Sequence, residues 1–237
     1  MINASASDVK ASKDVIIKKP KILKKRDLSK IDFSLFPILG SNRLLIEDDS
    51  NNSTATITSR IVWGFMGKVA LTKNQKKFFI QSEMNKISFA QSSDITISNR
   101  DQDLYSIEGG VLWGKSLKYG FQIGRRENLF LAVRDGENIV EKLAQTNMLL
   151  IGEADLYRFH EWKLRLNLTG GAIFPSKNDY VSSKAGILMS SRFDFQQLTR
   201  EGGWLFGLAG DYRKQNSDKV DLQELGLKLF GGYHLFF

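Results

Sequence analysis

The sequence predicts an all-β fold: an antiparallel up-and-down transmembrane β-barrel of about ten strands, with eight as the smaller alternative. Three observations predict it. Apolar residues recur with a period of two through most of residues 31–237, the spacing of strands whose two faces meet different surroundings. No apolar run approaches the roughly 18 residues of a membrane-spanning helix, and mean hydropathy is -0.25, which an alternating strand produces by averaging. Connections alternate between short and long. Only three prolines stand against 20 glycines and 26 aromatic residues (16 Phe, 6 Tyr, 4 Trp), a composition suited to long uninterrupted strands.

Taken in order, the first strand alternates Ile31, Phe33, Leu35 and Leu39, with Pro37 expected at an edge or bulge. The second runs from Arg60 to Leu71 and places Ile61, Trp63, Phe65, Val69 and Leu71 on one side. The third opens with Phe78, Ile80 and Met84, then switches to Ile87 and Phe89, which predicts a bulge near Asn85. Tyr105, Ile107, Val111 and Trp113 form the next apolar face, followed by Tyr119 to Val133 with an irregularity at Arg125 and Glu127. Met148, Leu150, Ala154 and Leu156 oppose Glu153 and Asp155. Trp162, Leu164, Leu166, Leu168, Ala172 and Phe174 oppose Lys163, Arg165, Asn167 and Thr169. Ala185, Ile187, Met189, Phe193 and Phe195 oppose Lys184, Ser190, Arg192 and Asp194. Trp204, Phe206, Leu208 and Tyr212 oppose Gly207, Asp211 and Arg213, and Leu225 to Phe237 closes the series. Each run is about the 9–11 residues of a tilted membrane-crossing strand.

Lys73–Lys77, Lys115–Lys118, Phe159–Glu161 and Gln197–Gly202 are short connections. Asp48–Ser59, Ser92–Asp103, Asp135–Asn147 and Pro175–Ser182 are longer and polar, and Gln215–Lys219 departs from the pattern. The third of the longer connections has room for a helical turn or two over Asn138–Gln145. Short turns at one end and longer loops at the other are the habit of membrane barrels.

The chain ends on Phe237, with Leu235 and Tyr233 two and four places before it and Gly232 on the other face. This strand resembles the C-terminal signal of bacterial outer-membrane β-barrels, the small OmpA/OmpX-like or porin-like proteins, although Phe230 stands where that family often has a polar residue. The resemblance implies recognition of Tyr233, Leu235 and Phe237 by the β-barrel assembly machinery, a bacterial outer-membrane location, and short turns on the periplasmic side. It covers residues 31–237 as architecture and only the last ten or so as a motif.

If lipid surrounds the barrel, the apolar faces look outward and the charges inward, because a charge on the lipid face at midplane costs roughly 2–4 kcal/mol. A soluble barrel or sandwich would do the reverse. The aromatic residues separate the two: Trp113, Trp162, Phe193, Trp204 and Phe206 gather near the short-turn end, as a belt at a headgroup layer would require. The inward set then holds Arg60, Lys68, Glu108, Arg126, Glu153, Asp155, Lys163, Arg165, Lys184, Arg192, Asp194, Asp211, Arg213 and Lys228. In so narrow a lumen these charges either pair to fill it or line a constricted passage for small solutes. Arg125 and Glu127 interrupt an outward face, and a bulge turning them inward is expected.

Catalysis finds little support. Cysteine is absent, no metal-ligand spacing, P-loop or dinucleotide fingerprint occurs, and no cofactor or metal is expected. The two histidines, His160 and His234, both fall at the short-turn end, away from the rim where barrel hydrolases of lipid A, phospholipid or peptide do their chemistry. Residues 1–30 hold nine Lys and Arg against three Asp, so this segment carries +6 of the total +8. It lacks the apolar core of a secretory signal, so an export signal is expected to be absent from this chain. Residues 1–30 are expected to be a disordered periplasmic segment meeting anionic lipid, cell-wall polymer or an envelope partner rather than nucleic acid. The function expected is a non-enzymatic barrel, structural or narrowly porous, with outer-membrane lipid around it. An outer-membrane hydrolase, or an adhesin or envelope-complex subunit acting through its loops, stands as the alternative.

Overall fold

A computed structural model describes residues 30–48, 53–92, 95–217 and 220–237. The expectation for the basic segment therefore falls, save for Lys30, outside the described residues. The chain forms β1 (Lys30–Asp48), β2 (Ser53–Lys73), β3 (Lys76–Phe89), β4 (Asp101–Gly114), β5 (Leu117–Arg134), β6 (Glu137–Phe159), β7 (Trp162–Ile173), β8 (Ser176–Lys177), β9 (Ser182–Gln197), β10 (Gly202–Ser217) and β11 (Asp221–Phe236). Consecutive strands pair antiparallel, and β11 returns to β1. The two-residue β8 only pairs with Ser182 and Ser183, so ten strands form the wall of a closed barrel.

The register fixes its geometry. One continuous ladder runs Ser34, Lys68, Gln81, Glu108, Gly124, Asn147, Ile173, Gly186, Gln215 and Leu222, and re-enters β1 at Ile46. That return lies twelve residues beyond its start. Ten strands sheared by this much tilt about 40° from the barrel axis, given the usual strand spacing and rise.

Strand lengths of 12 to 23 residues exceed the expected 9–11. The largest revision concerns Asp135–Asn147, which is neither a loop nor helical. Asp135 (φ 53°) and Gly136 (φ 82°) make a two-residue hairpin turn, and β6 begins at Glu137. Asp-Gly is a strong hairpin pair because both positions need positive φ. Asn74 and Gln75, with φ of 50° and 63°, close the β2–β3 hairpin likewise. The end carrying this turn, Gly114–Leu117, Phe159–Trp162 and Gln197–Gly202 is the near end; Lys30 and Phe236 lie there too.

The two faces are sharply different. Outward side chains include Phe65, Ile80, Leu150, Leu208 and Leu229, with Leu150 72% and Leu229 60% exposed. Inward ones include Glu153, Arg213 and His234, at 1%, 2% and 0%. An isolated surface made of Leu and Phe over charged contents is a transmembrane arrangement, since water would favour the opposite.

The interior is not uniformly polar, however. At the far end Leu44, Ile46, Ile57, Val62, Ile87, Phe89 and Leu222 point inward and pack against Leu129, Phe130, Ala132, Ile139, Val140 and Leu143 of the β5–β6 hairpin. This explains the switch of apolar face in β3: its register passes through Asn85 without a bulge, and Ile87 and Phe89 serve an inner core. β4 pairs with β5 only as far as Ser106↔Arg126, whereas β5–β6 pairing continues to Arg134↔Glu137. Leu129 and Phe130 are successive, yet both are fully buried. On a wall strand one of them would face out, so the hairpin has left the wall here and its stem is covered on both sides, while its tip from Val133 to Glu137 is exposed. Asn99 ties it from the β3–β4 connection, accepting from Val140 N and donating to Val140 O, each at 2.7 Å.

Pro37 sits on no edge, because closure leaves none. The β1–β11 ladder skips it instead, passing from Leu35↔Tyr233 to Ile38↔Phe230. Leu129→Ala and Phe130→Ala are each expected to cost about 2–5 kcal/mol in denaturant unfolding from lipid vesicles. An unaffected Leu129→Ala would show that side chain on the wall, facing lipid.

Candidate functional site

Among the described residues, ionisable groups converge in the lumen, and β11 runs its whole length. From the far end its inward residues are Leu222, Glu224, Gly226, Lys228, Phe230, Gly232 and His234. Each belongs to a different layer.

Leu222 belongs to the apolar plug. Beneath it, Glu224 accepts from Arg213 Nε at 2.8 Å and from Asn42 Nδ2 at 2.6 Å. Arg213 also donates to Leu129 O at 2.6 Å and holds its guanidinium 4.9 Å from the Phe130 ring, so it pins the hairpin stem from across the barrel. Lys228 bridges Glu83 at 2.5 Å and Asp211 at 3.0 Å, and Arg126 adds a longer contact to Asp211 at 3.6 Å. Glu108 accepts from Gln122 and Asn147. Phe230 lies against Phe36, with the Arg192 guanidinium 4.1 Å above its ring and bound to Asp194 at 2.5 Å. Gly207 makes room for Phe230, whose ring occupies the place a Cβ would take. Lys68 is different: its Nζ sits 4.7 Å from the Phe79 ring and in no ion pair among the described residues.

The near end holds an ionic cluster. Glu153, 1% exposed, is held by Lys77 at 3.2 Å, Arg165 at 3.4 Å and Lys118. Asp155 extends this cluster to the mouth, where Lys163 and Arg165 reach it at 3.3 and 3.1 Å. Asp155 is itself exposed at the rim, because a register shift between Asp155 and Tyr157 ends the regular alternation there.

Two expected lumen residues lie elsewhere. Arg60 is the extra residue of a bulge opposite Ser88 and Phe89, and it projects from the outer wall. Lys184 is exposed for the same reason, where three residues of β9 face two of β10. Arg125 and Glu127 are not turned in by a bulge, since the β5–β6 register is unbroken. Arg125 is exposed outside, and Glu127 fills the gap where β4 and β5 part, accepting from Tyr105 N at 3.0 Å. Lys77, Glu83, Lys118 and Glu224 join the network although sequence reasoning passed over them. Strict alternation with Phe78, Met84, Tyr119 and Leu225 places all four on the inner side.

The other anticipated groups are positioned as follows. Trp113, Trp162, Phe193, Trp204 and Phe206 all occupy near-end halves of their strands; Trp162 stacks on Phe195 at 4.6 Å and Trp204 meets Tyr233 edge-on at 5.5 Å. Tyr233 and Leu235 point outward, and Phe237 exchanges two backbone hydrogen bonds with Ile31, of 2.9 and 3.0 Å, at the closing seam. His160 is exposed in a turn with φ 51°. His234 is fully buried; Nε2–H donates to Gln197 O at 2.8 Å, which leaves Nδ1 to accept from the Gln196 amide at 2.5 Å. Both its nitrogens are thus committed, and neither to a carboxylate or hydroxyl.

The architecture is a closed antiparallel barrel of ten strands with an apolar outer wall and an ionic interior. No family model matches the sequence, and no curated protein does. Solved structures of similar fold include the outer membrane protease OmpT from Escherichia coli, at 8% identity over 88% of this chain and 96% of that one, TM-score 0.44. An outer membrane channel from Pseudomonas putida F1 is similar at 11% identity, covering 87% and 95%, TM-score 0.46. The TodX monoaromatic hydrocarbon channel, as a deltaS2 mutant, is similar at 7% identity, covering 87% and 90%, TM-score 0.32.

Glu153→Gln leaves three cations without their shared counter-charge and is expected to cost about 3–5 kcal/mol in unfolding from vesicles. Asp155→Asn, at the wet rim, should cost less than about 1 kcal/mol. Equal losses would contradict the buried ionic cluster.

Proposed function

We propose that this is a non-enzymatic barrel of the bacterial outer membrane with a closed lumen, a structural element of the wall that presents its far-end hairpins outside the cell. The observation that carries this reading is the stem of the β5–β6 hairpin, buried on both faces at Leu129 and Phe130 and bonded to Arg213 across the far mouth. Water and ions moving along the axis meet an apolar plug there and the Glu153 layer at the other end. The outer-membrane location is supported by the inverted faces and the near-end aromatic residues. On this reading the near end is periplasmic, and Tyr233, Leu235 and Phe237 form the strand that the assembly machinery would read. The basic segment at residues 1–30 is then placed to meet a periplasmic or cell-wall partner.

A second reading is a gated narrow pore. It is favoured by the cavity that persists between the two seals, lined among others by Lys68, Glu108, Arg126, Arg192 and Lys228. Hydrolysis is disfavoured by the two histidines, one exposed in a near-end turn and one with both nitrogens bonded to glutamine groups.

In planar bilayers the native chain is expected to show no steady conductance. Replacing residues 130–141 by a two-residue Asn-Gly turn, which keeps the Leu129↔Lys142 register, should produce discrete openings whose ion preference changes on adding Arg192→Glu. Steady conductance by the native chain would contradict the closed-lumen reading and favour the pore.

A further inference from the structure

Inside the barrel nearly every cation has a carboxylate; on the outer wall a set of them has none. Arg43 on β1, Arg60 on β2, Lys86 on β3, Lys184 on β9 and Lys214 on β10 all project outward at the far limit of the apolar surface, and none is in an ion pair among the described residues. Each follows an outward apolar run on its own strand: Leu39 precedes Arg43, Trp63 and Ile61 lie below Arg60, Met84 below Lys86, Ile187 below Lys184, and Tyr212 below Lys214.

Register makes them neighbours. Arg43 faces Thr58, two residues from Arg60, and Lys86 faces Trp63. In the other direction Arg43 faces Leu225 and Leu225 faces Tyr212, two residues from Lys214, while Lys214 faces Ile187 near Lys184. Across six adjacent strands, from β9 through β11 to β3, the wall thus carries five cations outside any ion pair at one level, with Gln223 at the strand between; Asp103 faces Lys86 at the β4 end of the arc, and Glu47, which accepts from Gln223, lies beyond it. The bulges that expel Arg60 and Lys184 from the lumen deliver both to this arc.

Unpaired like charges repel, and at the edge of hydrocarbon they lack full hydration. A layer of fixed negative charge at that height would relieve both costs. Phosphate suits it best, because arginine donates to its oxygens in pairs and lysine as a point charge. We infer that this arc is a binding surface for the phosphate-bearing glycolipid (lipid A) of the outer leaflet. The inference rests on the outer-membrane reading and goes beyond it by naming the residues and the lipid chemistry.

The full chain, folded in neutral detergent, is titrated with lipid A and with the same glycolipid stripped of its phosphates, and thermal unfolding is followed. Lipid A is expected to raise the midpoint, and the dephosphorylated form to leave it unchanged. A variant carrying Arg43→Gln, Arg60→Gln, Lys86→Gln, Lys184→Gln and Lys214→Gln should bind lipid A about tenfold or more weakly, since each basic residue near such a surface adds a comparable increment. Lys73→Gln with Lys76→Gln, exposed at the near-end turn, should change nothing. Equal binding by the arc variant, by phosphate-free glycolipid or by phosphatidylglycerol would overturn the assignment while leaving a membrane barrel intact. A chain that folds in buffer without detergent would overturn both.

Discussion

Hydrocarbon offers no partner to a peptide group, so a strand that crosses it must find every hydrogen bond on a neighbouring strand. In this chain the pairing of β11 with β1 meets that requirement, and everything else follows from it. Once the seam closes over the twelve-residue shift, tilt, lumen width and the side that each residue faces are set together. The seam keeps one register from Asp32↔Phe236 to Glu47↔Asp221, interrupted only beside Pro37. Pro37 removes a donor from it, Gly232 admits the Phe36 ring against it, and the pairing extends to Phe237, whose backbone meets Ile31.

Closure turns the usual economy of a protein inside out. Apolar side chains stabilise the barrel by facing acyl chains, and charges are confined to a narrow tube where an unmatched one is expensive. The lumen answers with shared counter-ions. Glu153 serves three cations, Lys228 serves two carboxylates, and Arg213 divides its donors between Glu224 and the backbone of the hairpin stem. Above this ionic column an apolar core returns, built from the same alternation but with greasy residues on the inner positions. The barrel therefore has soluble-protein packing at its far end and inverted packing in its middle.

Much of this was legible in the sequence. A period of two and alternating loop lengths gave ten strands, and parity assigned most lumen charges. What escaped has physical causes. A bulge adds one residue without changing the local pattern, so Arg60 and Lys184 looked inward by counting alone. The β5–β6 hairpin was hidden because buried Ile139, Val140 and Leu143 follow no simple alternation once a hairpin stem is covered on both faces. Its marker was the pair Asp135-Gly136, a stronger signal than the polar composition around it. Ile87 and Phe89 suggested a bulge only because the inner face was assumed to be polar throughout.

The central claim is which side of each strand meets lipid. The chain has no native cysteine, so single cysteines at Phe65, Leu208 and Leu229, and at Lys68, Asp211 and Lys228, can each carry a nitroxide without interference. In vesicles, relaxation by oxygen against relaxation by a water-soluble nickel chelate reports the surroundings of each label. The first three sites should favour oxygen strongly, and the last three should show little oxygen contact. Labels at Leu208 and Leu229 that oxygen cannot reach, with labels at Lys68 and Asp211 open to it, would contradict the account.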